Sequence, residues 1–174
     1  NAGSVGTLNG LFTDSLGYYI NLHTMVNPGG AIRAQLRRTD AITFPVVMSP
    51  ANEVPPIAIE ATGPSVVSVH TLRSADGSVA AGAVIFDVNH RMPGDTTFTG
   101  LHIHDGAAGA NGGVTVNTGL SATNNVASPT GAGNIYRIVT VSTEAGLRTL
   151  NSLVANPEAH YVNLHSTVTP RAVI

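Results

Sequence analysis

The chain has 174 residues, of which 43% are hydrophobic and 10% are charged, and its formal net charge is −2 at pH 7. This length fits one ordinary domain, or one domain with part of another, and the apolar content is sufficient for a core. All eight basic residues are Arg and no basic patch appears, which argues against nucleic-acid binding because phosphate neutralisation needs clustered cations. No apolar run approaches the roughly 18 residues of a membrane span.

Cysteine is absent, which excludes disulfides and thiolate metal sites. The low charge, together with many small and polar residues, is typical of an extracellular β-protein. The absence of cysteine does not by itself decide the compartment, because some secreted proteins also lack it.

The two ends of the chain repeat each other. Residues 1–32 align without gaps with residues 143–174, and eleven of the 32 aligned residues are identical. The segments TLNGL and YINLHT near one end match TLNSL and YVNLHS near the other. We therefore predict that residues 1–38 are the C-terminal part of a preceding repeat, with a helix, a strand and a donor strand. Residues 42–174 would then be nearly all of a second repeat.

Period-two alternation of apolar residues, bounded by turn residues, predicts a series of short strands. In chain order they are Tyr18–Thr24, Ala31–Arg38, Ala41–Met48, Ser65–Arg73, Val79–Val88, Phe98–Asp105, Val114–Leu120, Asn134–Val141 and His160–Ser166. The dipeptide Asp76-Gly77 is a strong hairpin turn signal. This spacing predicts an all-β fold, namely an antiparallel Greek-key sandwich or barrel with one short helix.

The short helix is predicted over Thr143–Asn156. Thr143 can cap its N-terminus, and Leu147, Leu150 and Val154 form an apolar stripe. The Asn-Pro dipeptide that follows ends it. Residues 1–12 have a similar but weaker pattern that three glycines interrupt.

The segment FTGLHIHDGAAGANGG, residues 98–113, contains the most distinctive chemistry. His102 and His104 lie on one face of its strand, and His165 has the same outward parity on a later strand. We predict that the three rings bring their nitrogens within roughly 5 Å of one another, as ligands at about 2 Å from one ion require. Asp105 could hold a ligating histidine by its carboxylate or cap the glycine turn. The alternative is that the histidines only shape that turn.

Three motifs resemble the CHRD domain family, the module named for chordin. They are ANEVPP at residues 51–56, LHIHDGAAGANGGV at 101–114 and YVNLHSTVTP at 161–170. The N-terminal segment YINLHTMVNPGGAIRAQL, residues 19–36, resembles the end of the same module. The resemblance implies a secreted or cell-surface all-β module, often in tandem. It also implies a last strand after the third motif, where this sequence stops.

A weaker, local resemblance concerns copper–zinc superoxide dismutase. GLHIHDGAAGANGG is similar to the copper-binding segment of that family, and YVNLHS is similar to a later strand that supplies another ligand. This resemblance implies that His102, His104 and His165 are copper ligands, with zinc less favoured. The family's zinc loop and disulfide cysteine have no counterpart, which argues against the full dismutation mechanism.

The segment of Ile32, Arg33, Ala34, Gln35 and Leu36 alternates apolar and polar residues as a half-buried strand does. We predict that it fills the place of the missing last strand, either in its own chain or in the next molecule. Head-to-tail donation between molecules would build a tandem array or filament. The first expected function is therefore an extracellular structural or assembly module. The alternative is a copper-binding protein for storage, delivery or redox chemistry, and neither function requires an enzyme.

Overall fold

The computed structural model describes residues 2–169 and divides the chain into two compact units, Asn1–Thr39 and Asp40–Ile174. Both helices have 12 residues, and within the described part of the chain no helix is long and apolar enough to cross a membrane.

The first unit is a helix followed by an antiparallel hairpin. Its elements are helix α1 (Ala2–Thr13), a 3-10 turn (Ser15–Gly17) and strands β1 (Tyr19–Leu22) and β2 (Ile32–Gln35). In the hairpin, Tyr19 lies opposite Gln35 and Asn21 lies opposite Arg33. The predicted assembly strand is therefore found as β2, paired with β1 of its own unit, and Leu36 lies just beyond its end. All four residues of β2 are exposed.

The second unit contains two four-stranded antiparallel sheets. The first sheet has the order β3 (Asp40–Met48), β4 (Gly63–Arg73), β5 (Val79–Arg91), β9 (Ala132–Val141). The second has the order β10 (His160–Ser166), β6 (Thr96–Asp105), β7 (Val114–Asn117), and β8 (Val126–Ser128) also pairs with β6. Two 3-10 turns, Pro50–Asn52 and Pro157–Ala159, precede β4 and β10.

The core lies between the two sheets and follows the alternation of the sequence. Along β4 every second residue from Gly63 to Thr71 is buried, and Phe86 on β5 is fully buried. From the other sheet Phe98, Leu101 and Leu164 are fully buried as well. Inward residues thus come from both sheets, as in a β-sandwich.

The hairpin predicted at Asp76-Gly77 is confirmed, because it joins β4 to β5. Gly77 has a φ of +83°, a left-handed conformation that favours glycine. The carboxylate of Asp76 accepts a hydrogen bond of 3.0 Å from the backbone N–H of Ser78, which holds the turn closed.

Helix α2 covers Glu144–Ala155, as predicted. The hydroxyl of Thr143 accepts a hydrogen bond of 3.3 Å from the backbone N–H of Gly146, and Asn156 ends the helix before Pro157. Its apolar stripe packs on the core, where Leu150 and Leu153 are buried.

One detail of the fold prediction needs correction. The sheets of the described residues form an open sandwich, so the barrel alternative is wrong. The described residues contain two short helices, because residues 2–13 form the helix expected within residues 1–38 in addition to α2. The all-β class and antiparallel pairing are confirmed.

The two segments that the repeat alignment pairs have similar secondary structure. Helix α1 and helix α2 begin and end at residues that the repeat alignment pairs, Ala2 with Glu144 and Thr13 with Ala155. The 3-10 turns Ser15–Gly17 and Pro157–Ala159 also cover paired residues, whereas β1 corresponds only to residues 161–164 of the longer β10. The burial differs, since Leu150 is fully buried whereas its counterpart Leu8 is 55% exposed. That the first unit ends a preceding repeat remains a prediction.

Candidate metal centre

The three predicted histidines lie on neighbouring strands and on one face of the second sheet. Strands β6 and β10 pair antiparallel, with His102 opposite Asn163 and Gly100 opposite His165. Partners across an antiparallel pair share a face, so the parity of His102 and His104 places both rings beside that of His165. The opposite face of the same strands carries the core residues Leu101 and Leu164.

The three rings converge. Their centroids are 5.7 Å apart for His102 and His104, 5.1 Å for His102 and His165, and 6.2 Å for His104 and His165. One nitrogen from each ring lies within 4.8 Å of the other two, which confirms the predicted convergence. Two nitrogens at about 2 Å from one ion lie at most about 4 Å apart, so small ring rotations bring the set to ligand distance.

The tautomer of His104 is fixed by the glycine-rich loop. Its Nδ1 lies 3.0 Å from the carbonyl oxygen of Gly112, and a carbonyl only accepts, so Nδ1 carries the proton. The lone pair is therefore on Nε2, which is buried and has no hydrogen-bond partner among the described residues. Backbone carbonyls orient metal-binding histidines in this way.

Gly112 and Gly100 are glycines for steric reasons. A Cβ at Gly112 would collide with the carbonyl oxygen of Asp105, so a larger residue would displace the carbonyl that holds His104. A Cβ at Gly100 would lie 2.9 Å from Cε1 of His102 and 3.1 Å from Cδ2 of His165. The absence of a side chain at Gly100 therefore allows these two rings to approach each other.

The environment keeps His102 neutral. Burial, and then the charges of His165 and His104, lower the pKa of His102 from 6.5 to about 4. Its Nδ1 is buried and unpartnered within the described residues. At neutral pH this ring offers a lone pair to a metal without first losing a proton.

Tyr161 is a neighbour of the site that the sequence did not indicate. Its ring stacks on that of His104 with a centroid distance of 4.9 Å and an interplanar angle of 10°. Its hydroxyl oxygen accepts a hydrogen bond of 3.2 Å from the backbone N–H of Gly112. Tyr161 thus supports both His104 and the loop residue that fixes its tautomer. The sequence does place Tyr161 on the same face of the strand as His165, because the two are four residues apart.

The carboxylate of Asp105, which the sequence predicts either to hold a ligating histidine or to cap the glycine turn, lies beside His160, which is outside the three-histidine cluster. Its Oδ1 lies 2.9 Å from Nδ1 of His160, which is its cross-strand partner. The reason is alternation, because Asp105 follows His104 directly and so points to the other face of β6. The backbone carbonyl of Gly112, and not the carboxylate of Asp105, holds the His104 ring.

Ser152, His160 and Asp105 form a series with the residue types of a nucleophilic triad. Ser152 Oγ lies 2.8 Å from Nε2 of His160. The contact from Nδ1 to Asp105 is short but not aligned as a hydrogen bond, and the Asp105 side chain is 64% exposed. A water-facing carboxylate gives the imidazole little orientation. We therefore regard the series as a link between helix α2 and the second sheet.

The comparison with protein families decides the family. The sequence model of the CHRD domain matches residues 44–174, more than half of the chain. The chain belongs to the CHRD family. This confirms the resemblance carried by the three motifs, and CHRD membership indicates an extracellular type of module. Comparisons with curated proteins and with solved structures gave no match. The local resemblance to copper–zinc superoxide dismutase therefore remains a prediction.

Proposed function

We propose that this CHRD protein binds one copper ion through His102, His104 and His165. The proposal rests on the convergence of the three imidazole rings, each of which has a buried nitrogen. The hydrogen bond from His104 to Gly112 and the depressed pKa of His102 support it, because both leave a lone pair available. In a cluster with only a structural role, hydrogen-bond partners would be expected at His102 Nδ1 and His104 Nε2, which are buried and have none among the described residues.

The ligand type favours copper over other metals. Three neutral imidazoles suit copper, zinc or nickel, and copper(II) binds tightest in the divalent series. Zinc is the second candidate metal, because it also binds at three-histidine sites that keep a fourth position open. Three protein ligands leave room for an exchangeable ligand. This suits a role in copper storage, delivery or redox chemistry.

Metal analysis of protein purified without a polyhistidine tag tests this proposal. We expect one copper per chain by elemental analysis, and loss of that copper in His165→Asn. His23→Asn is the matched control, since His23 is the repeat counterpart of His165 and its Nδ1 lies 2.8 Å from the carbonyl of Pro28 in the first unit. A wild-type protein that takes up neither copper nor zinc refutes the proposal. Equal copper loss in both variants refutes it too.

A second function rests on a different observation. Within the described residues, strand β10 pairs only with β6 and is the edge of its sheet. An edge strand presents unpaired backbone groups that another strand can join. We infer that this protein is a secreted structural module that associates with further copies through strand addition at β10. Donation repeated head to tail builds a filament.

Light scattering distinguishes the two functions. Removal of residues 1–38, which contain β2, is expected to reduce assembly size while copper binding stays unchanged. If truncated and full-length proteins have the same size and the same melting temperature, strand donation by β2 is excluded. The copper proposal is not affected by that result.

A further inference from the structure

The ANEVPP motif, residues 51–56, lies beside the proposed copper site, although it is far from the histidines in sequence. The side-chain amide of Asn111, in the glycine-rich loop, donates a hydrogen bond of 3.0 Å to the carbonyl oxygen of Val54. The carboxylate of Glu53 accepts a hydrogen bond of 3.5 Å from the side-chain amide of Asn163 on β10. The three motifs that carry the family resemblance therefore meet at one place in the fold.

Asn163 connects Glu53 to the face that carries the histidines. It lies opposite His102 across the β6–β10 pair, and the Cβ atoms of such partners are about 4.5–5.5 Å apart. Asn163 is 5% exposed, and its Oδ1 is buried with no hydrogen-bond partner among the described residues. An unpaired buried acceptor is unusual in native proteins and often marks a functional position. We therefore regard Asn163 as part of the site and not of the core.

The three proposed ligands supply no negative charge. The described histidine group contains no carboxylate, and the carboxylate of Asp105 lies beside His160 on the other face of β6. A copper ion held by three neutral imidazoles keeps its full charge, which is costly in a half-buried place unless an opposite charge lies nearby. Glu53 is half-buried and is held next to this face by Asn163. It is therefore the acidic residue best placed to balance the ion.

The environment of the Glu53 carboxylate agrees with this role. Burial raises the pKa of Glu53, and the hydrogen bond from Asn163 offsets only part of that effect. A cation bound at the histidines would favour the ionised carboxylate and so compensate for its burial. The ion and the carboxylate would therefore stabilise each other.

We propose that Glu53 is the counter-charge of the copper site and that it makes the site favour copper(II) over copper(I). This inference rests on the proposed copper binding by the three histidines. Coulomb energy is proportional to the charge of the ion, so the carboxylate stabilises copper(II) about twice as strongly as copper(I). Glu53 thus selects the oxidation state without being a ligand, and Asn163 is the positioning residue that holds it.

Glu53→Gln tests the role of the charge, because glutamine keeps the size of the side chain and an oxygen that accepts from Asn163. Copper(II) affinity is measured by chelator competition in air, and copper(I) affinity by competition with a copper(I) chelator under a reductant. We expect affinity to fall about threefold for copper(I) and about tenfold for copper(II), since doubling the charge squares the factor. Glu60→Gln, which changes an exposed glutamate of the same connection, is the control and should alter either affinity less than about twofold.

The two oxidation states distinguish a charge effect from a disturbed site. A change in the arrangement of the rings would weaken both ions alike, so equal losses in Glu53→Gln overturn the role of Glu53 and leave the copper site in place. Unchanged affinities have the same meaning. If the wild-type protein binds copper in neither oxidation state, this inference fails together with the copper proposal.

A double variant tests the position of Asn163. Glu53→Gln with Asn163→Asp exchanges the amide and the carboxylate, which keeps a hydrogen-bonding pair and moves the negative charge to the residue opposite His102. We expect copper(II) affinity to return to within about twofold of wild type or to exceed it. If it stays at the level of Glu53→Gln alone, Asn163 does not face the ion and the inference is overturned. Thermal melting without metal checks that each variant folds, and if one does not, the other decides.

Discussion

Replacement of Gly100 by Ala is the sharpest probe of the copper site, because it adds one methyl group between two of the proposed ligands. The new Cβ would lie 2.9 Å from Cε1 of His102 and 3.1 Å from Cδ2 of His165. Carbon atoms in contact prefer about 3.5–4.0 Å, so the two rings must move apart by roughly 0.5–1 Å. Metal–ligand distances vary by only about 0.2 Å, so the methyl group opposes the ring positions that a shared ion requires and should weaken its binding.

We expect copper affinity to fall by about 10- to 100-fold or more in Gly100→Ala, measured by competition with a copper chelator. Overpacking is expected to cost about 1–3 kcal/mol of unfolding free energy, measured by urea denaturation without metal. Gly113→Ala is the matched control, because a Cβ at Gly113 meets no atom within 4 Å. If the two variants bind copper equally well, His102 and His165 do not share one copper ion.

Three further predictions concern pH, the core and the loop. Because folding lowers the pKa of His102 from 6.5 to about 4, the unfolded chain binds the proton more readily, and the metal-free protein should lose stability as pH falls through that interval. For this half-buried ring we expect the unfolding free energy to fall by about 1–2 kcal/mol, measured by urea denaturation. If His102→Asn lost as much stability over the same pH interval, the loss could not be assigned to His102. Leu150→Ala should cost about 2–5 kcal/mol in the same assay and Leu8→Ala less than about 0.5, so equal costs would contradict the difference in burial. Tyr161→Phe removes the hydrogen bond to Gly112 but keeps the stack, so thermal melting should show a loss of about 1 kcal/mol, and no change would show that this bond does not hold the loop.

The features that the sequence predicted well depend on local pattern. Helix α2 has a cap, an apolar stripe and a following proline, and its bounds agree with prediction to one residue. The three-histidine cluster needed only strand parity and the pairing of β6 with β10. Helix α1 is less strongly indicated than α2, because its glycines lower helix propensity.

The features that the sequence did not predict depend on contacts between distant segments. A backbone carbonyl has no sequence signature, so the contact from Gly112 to His104 could be found only in the folded loop. The edge position of β10 likewise depends on how strands that are distant in sequence pair. The position of the Asp105 side chain follows from the sequence, since alternation places it on the face opposite His104.

Strand β10 contributes a proposed copper ligand, His165, and also forms the edge at which another strand is proposed to add. Two binding events on one short strand are thermodynamically linked, so a factor by which copper changes the association constant must equal the factor by which association changes copper affinity. An ion that ties β10 to β6 would stiffen the strand before its partner arrives, which predicts a factor above one. Chelator competition above and below the association midpoint, compared with ultracentrifugation with and without copper, measures both factors. Unequal factors would show that a third equilibrium takes part, and factors of one would show that the metal has no influence on assembly.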